Sequence, residues 1–429
     1  MRRTASLLAL ALSLSPACGD NGGGSGGTDG GSDGGSTSGA TGSASAPTEG
    51  TGAETTDAGS TTTAPTTTDA SSTGATSGGG ADVPGCAGGS FLPVPEDTSK
   101  PGPWPVGARA VTVGGLNAEV WYPAQLGSEA GKEKIRYDIR TGLPDSEVGK
   151  VSDADNPWQD CDCYRDLPLD EGHGPYPGIV FVHGTAGFRS QSLEFVLHWA
   201  SRGFVVIAAD HPGLWLKDLL GQLCGQGSVP QNLAGDISTL VAALKVPVGD
   251  VAFLADHVDG ERIGMAGHSA GGGAIKGSGG VARVLIPMAA GGVSEGMALE
   301  STLIFGAQSD KVVNYPSQQQ GFMTSPAPKR LVGISNAGHL AFSSLCSLKN
   351  ANGQDFLEIA MANGVCGAQF AGALFDCDPM YTPDTVGWDI VRYASAAVLE
   401  SVLRCSDVDK NFAELQTRYP EVGEYQEAL

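Results

Sequence analysis

The sequence is short of positive charge: its 429 residues hold 25 Lys and Arg against 47 Asp and Glu, a formal charge of −22. Aromatic side chains are few, at 7%, and residues 19–84 have none at all, nor any Lys or Arg. Val83 is the only aliphatic side chain there larger than Ala. These 66 residues, 19 of them Gly and 8 acidic, cannot bury enough apolar surface to offset backbone ordering. A disordered linker is expected over 19–84. Setting aside its eight acids and the two N-terminal arginines leaves −16 on residues 85–429. A domain so acidic lacks the basic footprint that nucleic acid requires, and anionic lipid does not attract it.

The start of the chain has a basic pair, Arg2 and Arg3, then the apolar run 7–14 and Ser-Pro-Ala-Cys at 15–18. The run is too short to span a bilayer and has the layout of a secretory signal over 1–18. It resembles a bacterial lipoprotein signal, in which Cys18 becomes the lipidated first residue. Pro16 is an unusual neighbour for such a signal, which leaves plain cleavage and secretion as the alternative. The linker would then be a tether of about 45 Å r.m.s. reach. Eight cysteines remain: Cys86, Cys161, Cys163, Cys224, Cys346, Cys366, Cys377 and Cys405. An even number in an exported chain implies disulfides, whose pairing the sequence does not choose. A metal site at Cys161-Asp162-Cys163 is the weaker alternative, since no His is near, and bridges from this pair to cysteines elsewhere are expected.

The 345 residues of 85–429 are enough for one large core. Residues 109–113 and 117–122 alternate around Gly114-Gly115 and predict a hairpin. Residues 177–182 are continuously apolar, as in a strand covered on both faces. Further strands are predicted at 204–209, 262–266, 281–289, 302–305 and 330–335, and helices at 190–201, 233–244, 250–257 and 387–404. The alternation predicts an α/β domain on a mainly parallel, eight-stranded sheet flanked by helices.

Reactive groups in such sheets gather in the loops that follow the strands. Gly267-His268-Ser269-Ala270-Gly271 has the spacing of a nucleophile elbow, in which a sharp strand-to-helix turn projects the Ser hydroxyl. Ser25, Ser32 and Ser294 match the same short pattern. The first two fall in the linker; Ser294 has no room for a helix after it, and Glu295 would oppose a developing negative charge. His183-Gly184-Thr185-Ala186-Gly187 suits an oxyanion loop, the N–H groups of Thr185 and Ala270 being the expected donors and His183 a structural hydrogen-bonder. Asp310 and His339 each follow a predicted strand, and the order Ser269, Asp310, His339 is that of a hydrolase triad on this kind of sheet. His339 would be the base, with Asp310 fixing its tautomer. His268 is expected to point away from the nucleophile and His211 to line the cleft, whereas His173, His198 and His257 read as surface or helix residues. Asp256 and Asp259 precede the elbow strand, at the wrong end of the sheet.

At these motifs the chain resembles the α/β-hydrolase superfamily over about 177–342. The tract 179–213, with His183-Gly184, Gly187-Phe188-Arg189-Ser190, Gly203-Phe204-Val205-Val206 and Asp210-His211, looks most like the platelet-activating-factor acetylhydrolase, chlorophyllase and dienelactone hydrolase group. Bacterial cutinases and polyester hydrolases are similar in layout, including Gly271-Gly272-Gly273. The resemblance implies carboxylic ester hydrolysis with no metal or cofactor, a lipid-like or small acyl ester as substrate, and a monomer. The segment after the elbow, 274–280, is a poor helix former. Polyester hydrolases carry a Trp where this chain has Ala290-Gly291-Gly292, which speaks against a polymer substrate. Inserts at 123–176 and 348–383 have no recognised counterpart. The competing readings are a peptidase or amidase on the same fold, and a non-catalytic surface lipoprotein that binds a partner.

Overall fold

A computed structural model describes residues 89–372 and 374–429. The expected signal over 1–18 with Cys18, the linker 19–84 and Cys86 lie outside the described residues. Eleven strands form one sheet: β1 (Val106–Val113), β2 (Leu116–Pro123), β3 (Lys134–Tyr137), β4 (Gln159–Arg165), β5 (Tyr176–Val182), β6 (Val205–Ala209), β7 (Val258–His268), β8 (Val284–Met288), β9 (Ser301–Ala307), β10 (Lys329–Ile334) and β11 (Val422–Ala428). Their order is β11-β10-β9-β8-β7-β5-β6-β2-β1-β4-β3. The run from β10 to β6 is parallel, and antiparallel pairs stand on both flanks.

The expected α/β architecture is present, but the strand count of eight is corrected to eleven in a mixed sheet. The three additional strands are β3 and β4, inside the 123–176 insert, and β11 at the C-terminal edge. The predicted helix at 250–257 is a 3-10 helix, Gly249–Leu254.

The period of two along a strand divides the core between the faces of the sheet. In β5, Ile179 and Phe181 pack with the helices Leu193–Ser201 and Asp384–Leu403, whereas Val180 and Val182 pack on the face of Leu233–Lys245. Every residue of β5 is therefore buried, which explains its unbroken apolar run. Each large side chain so buried contributes roughly 1.5–3 kcal/mol. The β1–β2 turn takes positive φ at Gly114 (56°) and Gly115 (87°), a pairing that glycine accommodates without strain.

The inserts build a separate apolar cluster. Ile139, Leu143, Phe356, Ile359 and Val365 pack there with Ala186, Phe188 and Leu340. Disulfides Cys224–Cys366 and Cys346–Cys377 fasten the second insert. Cys161 and Cys163 bond to each other, which corrects the expectation of partners elsewhere. They are two positions apart on one strand, so both side chains leave the same face. Cys405 is disulfide-bonded as well. Among the described residues no helix is long and apolar enough to cross a membrane.

Candidate active site

β7 ends at His268, and the chain turns into the helix Ala270–Ala274 through Ser269, which has φ 55° and ψ −119°. A positive φ at a non-glycine residue costs on the order of 1–3 kcal/mol and persists only where the surroundings enforce it. Here the Ser269 N–H donates to the Met288 carbonyl at 2.8 Å, and the Gly273 N–H donates back to the Ser269 carbonyl at 3.0 Å. The flanking glycines are required by close packing. A Cβ on Gly267 would lie 2.6 Å from the Gly271 carbonyl carbon, and one on Gly271 would lie 2.5 Å from the His183 carbonyl oxygen. The helix is short and passes into a 3-10 turn over Ile275–Gly280, as the glycine-rich sequence predicts. Ser294 sits in an exposed loop with its N–H on the Lys276 carbonyl.

The loop after β5 runs directly past the elbow, since a Cβ on Gly184 would come 3.2 Å from Ser269 Cβ. Its amides are nearly all engaged. Gly184 N–H donates to Gln191 Oε1 (3.2 Å), Ala186 N–H to the Leu214 carbonyl (3.0 Å) and Gly187 N–H to the Gly184 carbonyl (3.0 Å). The N–H groups of Thr185 and Ala270 have no acceptor among the described residues. Thr185, Ser269 and Ala270 are half-buried, so all three reach the surface.

Asp310 follows β9 and His339 follows β10, and the structure brings them together with Nδ1 of His339 2.8 Å from Oδ2 of Asp310. Both are buried. Asp310 Oδ1 accepts the N–H groups of Val312 and Val313, each at 2.8 Å, and Oδ2 also accepts Gln318 Nε2–H at 3.0 Å. Four donors to one carboxyl group suit the ionised form. The bond to Asp310 fixes the proton of a neutral His339 on Nδ1 and leaves Nε2 bare. Ser269 Oγ makes no hydrogen bond to His339. The imidazoles of His268 and His339 lie 4.8 Å apart, which puts His339 beside the residue preceding Ser269. In free enzymes the nucleophile–base bond is often long and tightens with substrate.

The remaining histidines have other work. His183 donates from Nδ1 to the Gly184 carbonyl (2.8 Å) and accepts the His211 N–H at Nε2 (3.1 Å), the structural role expected of it. His211 does not line a cleft: it is fully buried, with Nδ1 3.1 Å from Asp236 Oδ2. His198 lies on a helix as expected but is buried, with Nε2 donating to the Thr98 carbonyl. His173 pairs with Asp170. Burial pushes His183, His198 and His268 down to about 3, so each stays neutral.

Gln318 and Gln191 were not legible in the sequence. No motif marks a glutamine, and their importance comes from buried partners far along the chain. A cavity of about 480 Å³ opens beyond the β1–β2 hairpin, lined by Asp138, Arg140, Arg189, Trp215 and Lys217 among others. None of Ser269, Asp310 and His339 borders it, and its charges pair with one another or with near neighbours.

No curated protein matches the chain. Residues 154–213, which include β5, the loop His183–Gly187 and β6, match the family model of platelet-activating factor acetylhydrolase, isoform II, and this match supports a place in the acetylhydrolase-like α/β-hydrolase group.

Proposed function

We propose that the chain is an exported serine hydrolase that cleaves carboxylic esters through an acyl-enzyme on Ser269. The observation that carries this reading is the Asp310–His339 pair at 2.8 Å, in loops that follow neighbouring strands of the sheet that also carries the elbow. His339 Nε2 takes the hydroxyl proton as Ser269 Oγ attacks the ester carbonyl carbon. The carbonyl oxygen gains charge and accepts the free N–H groups of Thr185 and Ala270. Collapse of the tetrahedral species breaks the bond to the alcohol oxygen, and His339 returns the proton to that oxygen. A water molecule repeats the sequence on the acyl-serine and releases the acid. Asp310 holds the imidazole in place and stabilises its charged form.

The family match over 154–213 supports ester hydrolysis of the lipase or esterase type, with a lipid-like or small acyl ester as substrate. The disulfides support an oxidising compartment, and the sequence at 15–18 supports a lipid anchor at Cys18. Turnover of p-nitrophenyl esters and labelling by a fluorophosphonate probe test the chemistry, with aminoacyl-amide substrates in parallel. Wild type is expected to turn over esters and take the label, and Ser269→Ala to do neither. Equal background rates in both proteins would refute the reading.

A further inference from the structure

We propose that Gln191 and His268 are positioning residues that bolt the oxyanion loop to the loop carrying His339. This rests on the reading of Ser269 as nucleophile and His339 as base. Three hydrogen bonds form one chain. Gly184 N–H donates to Gln191 Oε1 at 3.2 Å, Gln191 Nε2–H donates to His268 Nδ1 at 2.9 Å, and His268 Nε2–H donates to the backbone carbonyl of His339 at 2.9 Å. The direction follows from its two ends. A backbone amide can only donate and a backbone carbonyl can only accept, so the proton of His268 is on Nε2 and its Nδ1 accepts from the amide.

The chain reaches the oxyanion loop, the elbow and the proposed base. Gly184 immediately precedes the Thr185 amide, His268 immediately precedes Ser269, and the last acceptor belongs to His339 itself. Gln191 and His268 are both buried. Two further bonds tie the same segment to the residues after His339: Ser344 N–H donates to the Gln191 carbonyl and Ser192 Oγ–H to the Phe342 carbonyl, both at 2.8 Å. The fit leaves little slack. A Cβ on Gly184 would lie 2.9 Å from His268 Nδ1, and one on Gly187 would overlap Gln191 Oε1. The titratable groups facing His268 are His339, Asp310 and His183.

The test compares wild type with Gln191→Leu, which keeps the bulk and removes both side-chain bonds, and Gln191→Glu. Displacements of about 1 Å at a reacting group cost up to about 100-fold. Gln191→Leu is therefore expected to lose about 10- to 100-fold in kcat on a p-nitrophenyl ester, with KM within about threefold. Gln191→Glu still accepts from Gly184 but offers His268 no hydrogen until the pair binds a proton. Its kcat relative to wild type at the same pH is expected to recover as pH falls from about 8 to about 6. Amide exchange at Gly184 and the 15N shifts of His268 report the chain without turnover: wild type should show a slow amide and a proton on Nε2, and Gln191→Leu a faster amide. Unchanged exchange, wild-type kcat in Gln191→Leu, or a loss in Gln191→Glu that ignores pH overturns the proposal. If Gln191→Leu does not fold, the pH profile of Gln191→Glu decides. If wild type takes no fluorophosphonate label, the hydrolase reading fails while the exchange data still judge the hydrogen-bonded chain.

Discussion

His183 turns its Nδ1–H onto the carbonyl oxygen of the residue that follows it, Gly184, across 2.8 Å. In a trans peptide the carbonyl and the next N–H point in opposite directions. The bond therefore aims the Thr185 amide away from His183, and that amide is the unengaged one in the loop. His183→Ala removes one of the two donors that fix this peptide plane and leaves only the Gly187 N–H on the Gly184 carbonyl. The expected loss in kcat is up to about 10²–10³-fold, the usual cost of one oxyanion donor, with KM little changed. Steady-state kinetics on one ester checks it.

Asp310 and Gln318 separate by magnitude. Asp310→Asn puts an amide against His339 Nδ1–H and favours the wrong tautomer, a loss on the order of 10⁴ in kcat. Gln318→Leu removes one of four donors to the carboxyl group. A hydrogen bond to a charged group is worth about 1.5–3 kcal/mol, so a loss of roughly ten- to a hundredfold is expected. A Gln318→Leu enzyme as impaired as Asp310→Asn would contradict this account of the acid.

Gly271→Ala tests the elbow as geometry. The added methyl would overlap the Val182 carbonyl oxygen and stand 2.5 Å from that of His183, both backbone atoms with no free rotation to escape. Gly273→Ala, where a Cβ meets nothing within 4 Å, is the matched control. Loss of fluorophosphonate labelling is expected in the first variant and full labelling in the second.

Three buried histidines set an acid limit on stability. His183, His198 and His268 titrate near 3 when folded, against about 6.5 when unfolded. Between those values the unfolded chain binds protons that the folded chain does not, so stability falls as pH drops below about 6.5. Burial raises Glu194, Asp210 and Asp384, which act in the opposite sense near the lower end of that window. Thermal unfolding is expected to show Tm falling from pH 7 to pH 5.5. His198→Gln, remote from the site, is expected to lessen the slope, and a flat wild-type profile would contradict the assignment.

The legible parts of the fold were those where a residue type is forced locally. Gly267 and Gly271 are demanded by atoms of the turn and the neighbouring strand, and β5 is continuously apolar because both its faces are covered. The pairing of Asp310 with His339 was legible because each follows a strand with a strong apolar signal. β11, Val-Gly-Glu-Tyr-Gln-Glu-Ala, was missed because it lies at the sheet edge, where one flank faces solvent and polar residues are tolerated. β3 is the opposite edge strand, and β4, which it pairs with, is equally rich in polar residues. Gln191 and Gln318 were invisible for another reason: a glutamine acquires meaning only from the partners that folding delivers.

The cross-links Cys224–Cys366 and Cys346–Cys377 hold the 348–383 insert in the cluster that also contains Phe188 and Leu340. The choice of expression host thus becomes part of the enzymology. A glutathione-rich cytosol would deliver the domain with that insert unfastened, next to the segments that carry Phe188 and Leu340, whereas secretion or oxidative refolding yields the fastened protein. Activities from the two preparations should therefore be compared only after their thiols have been counted.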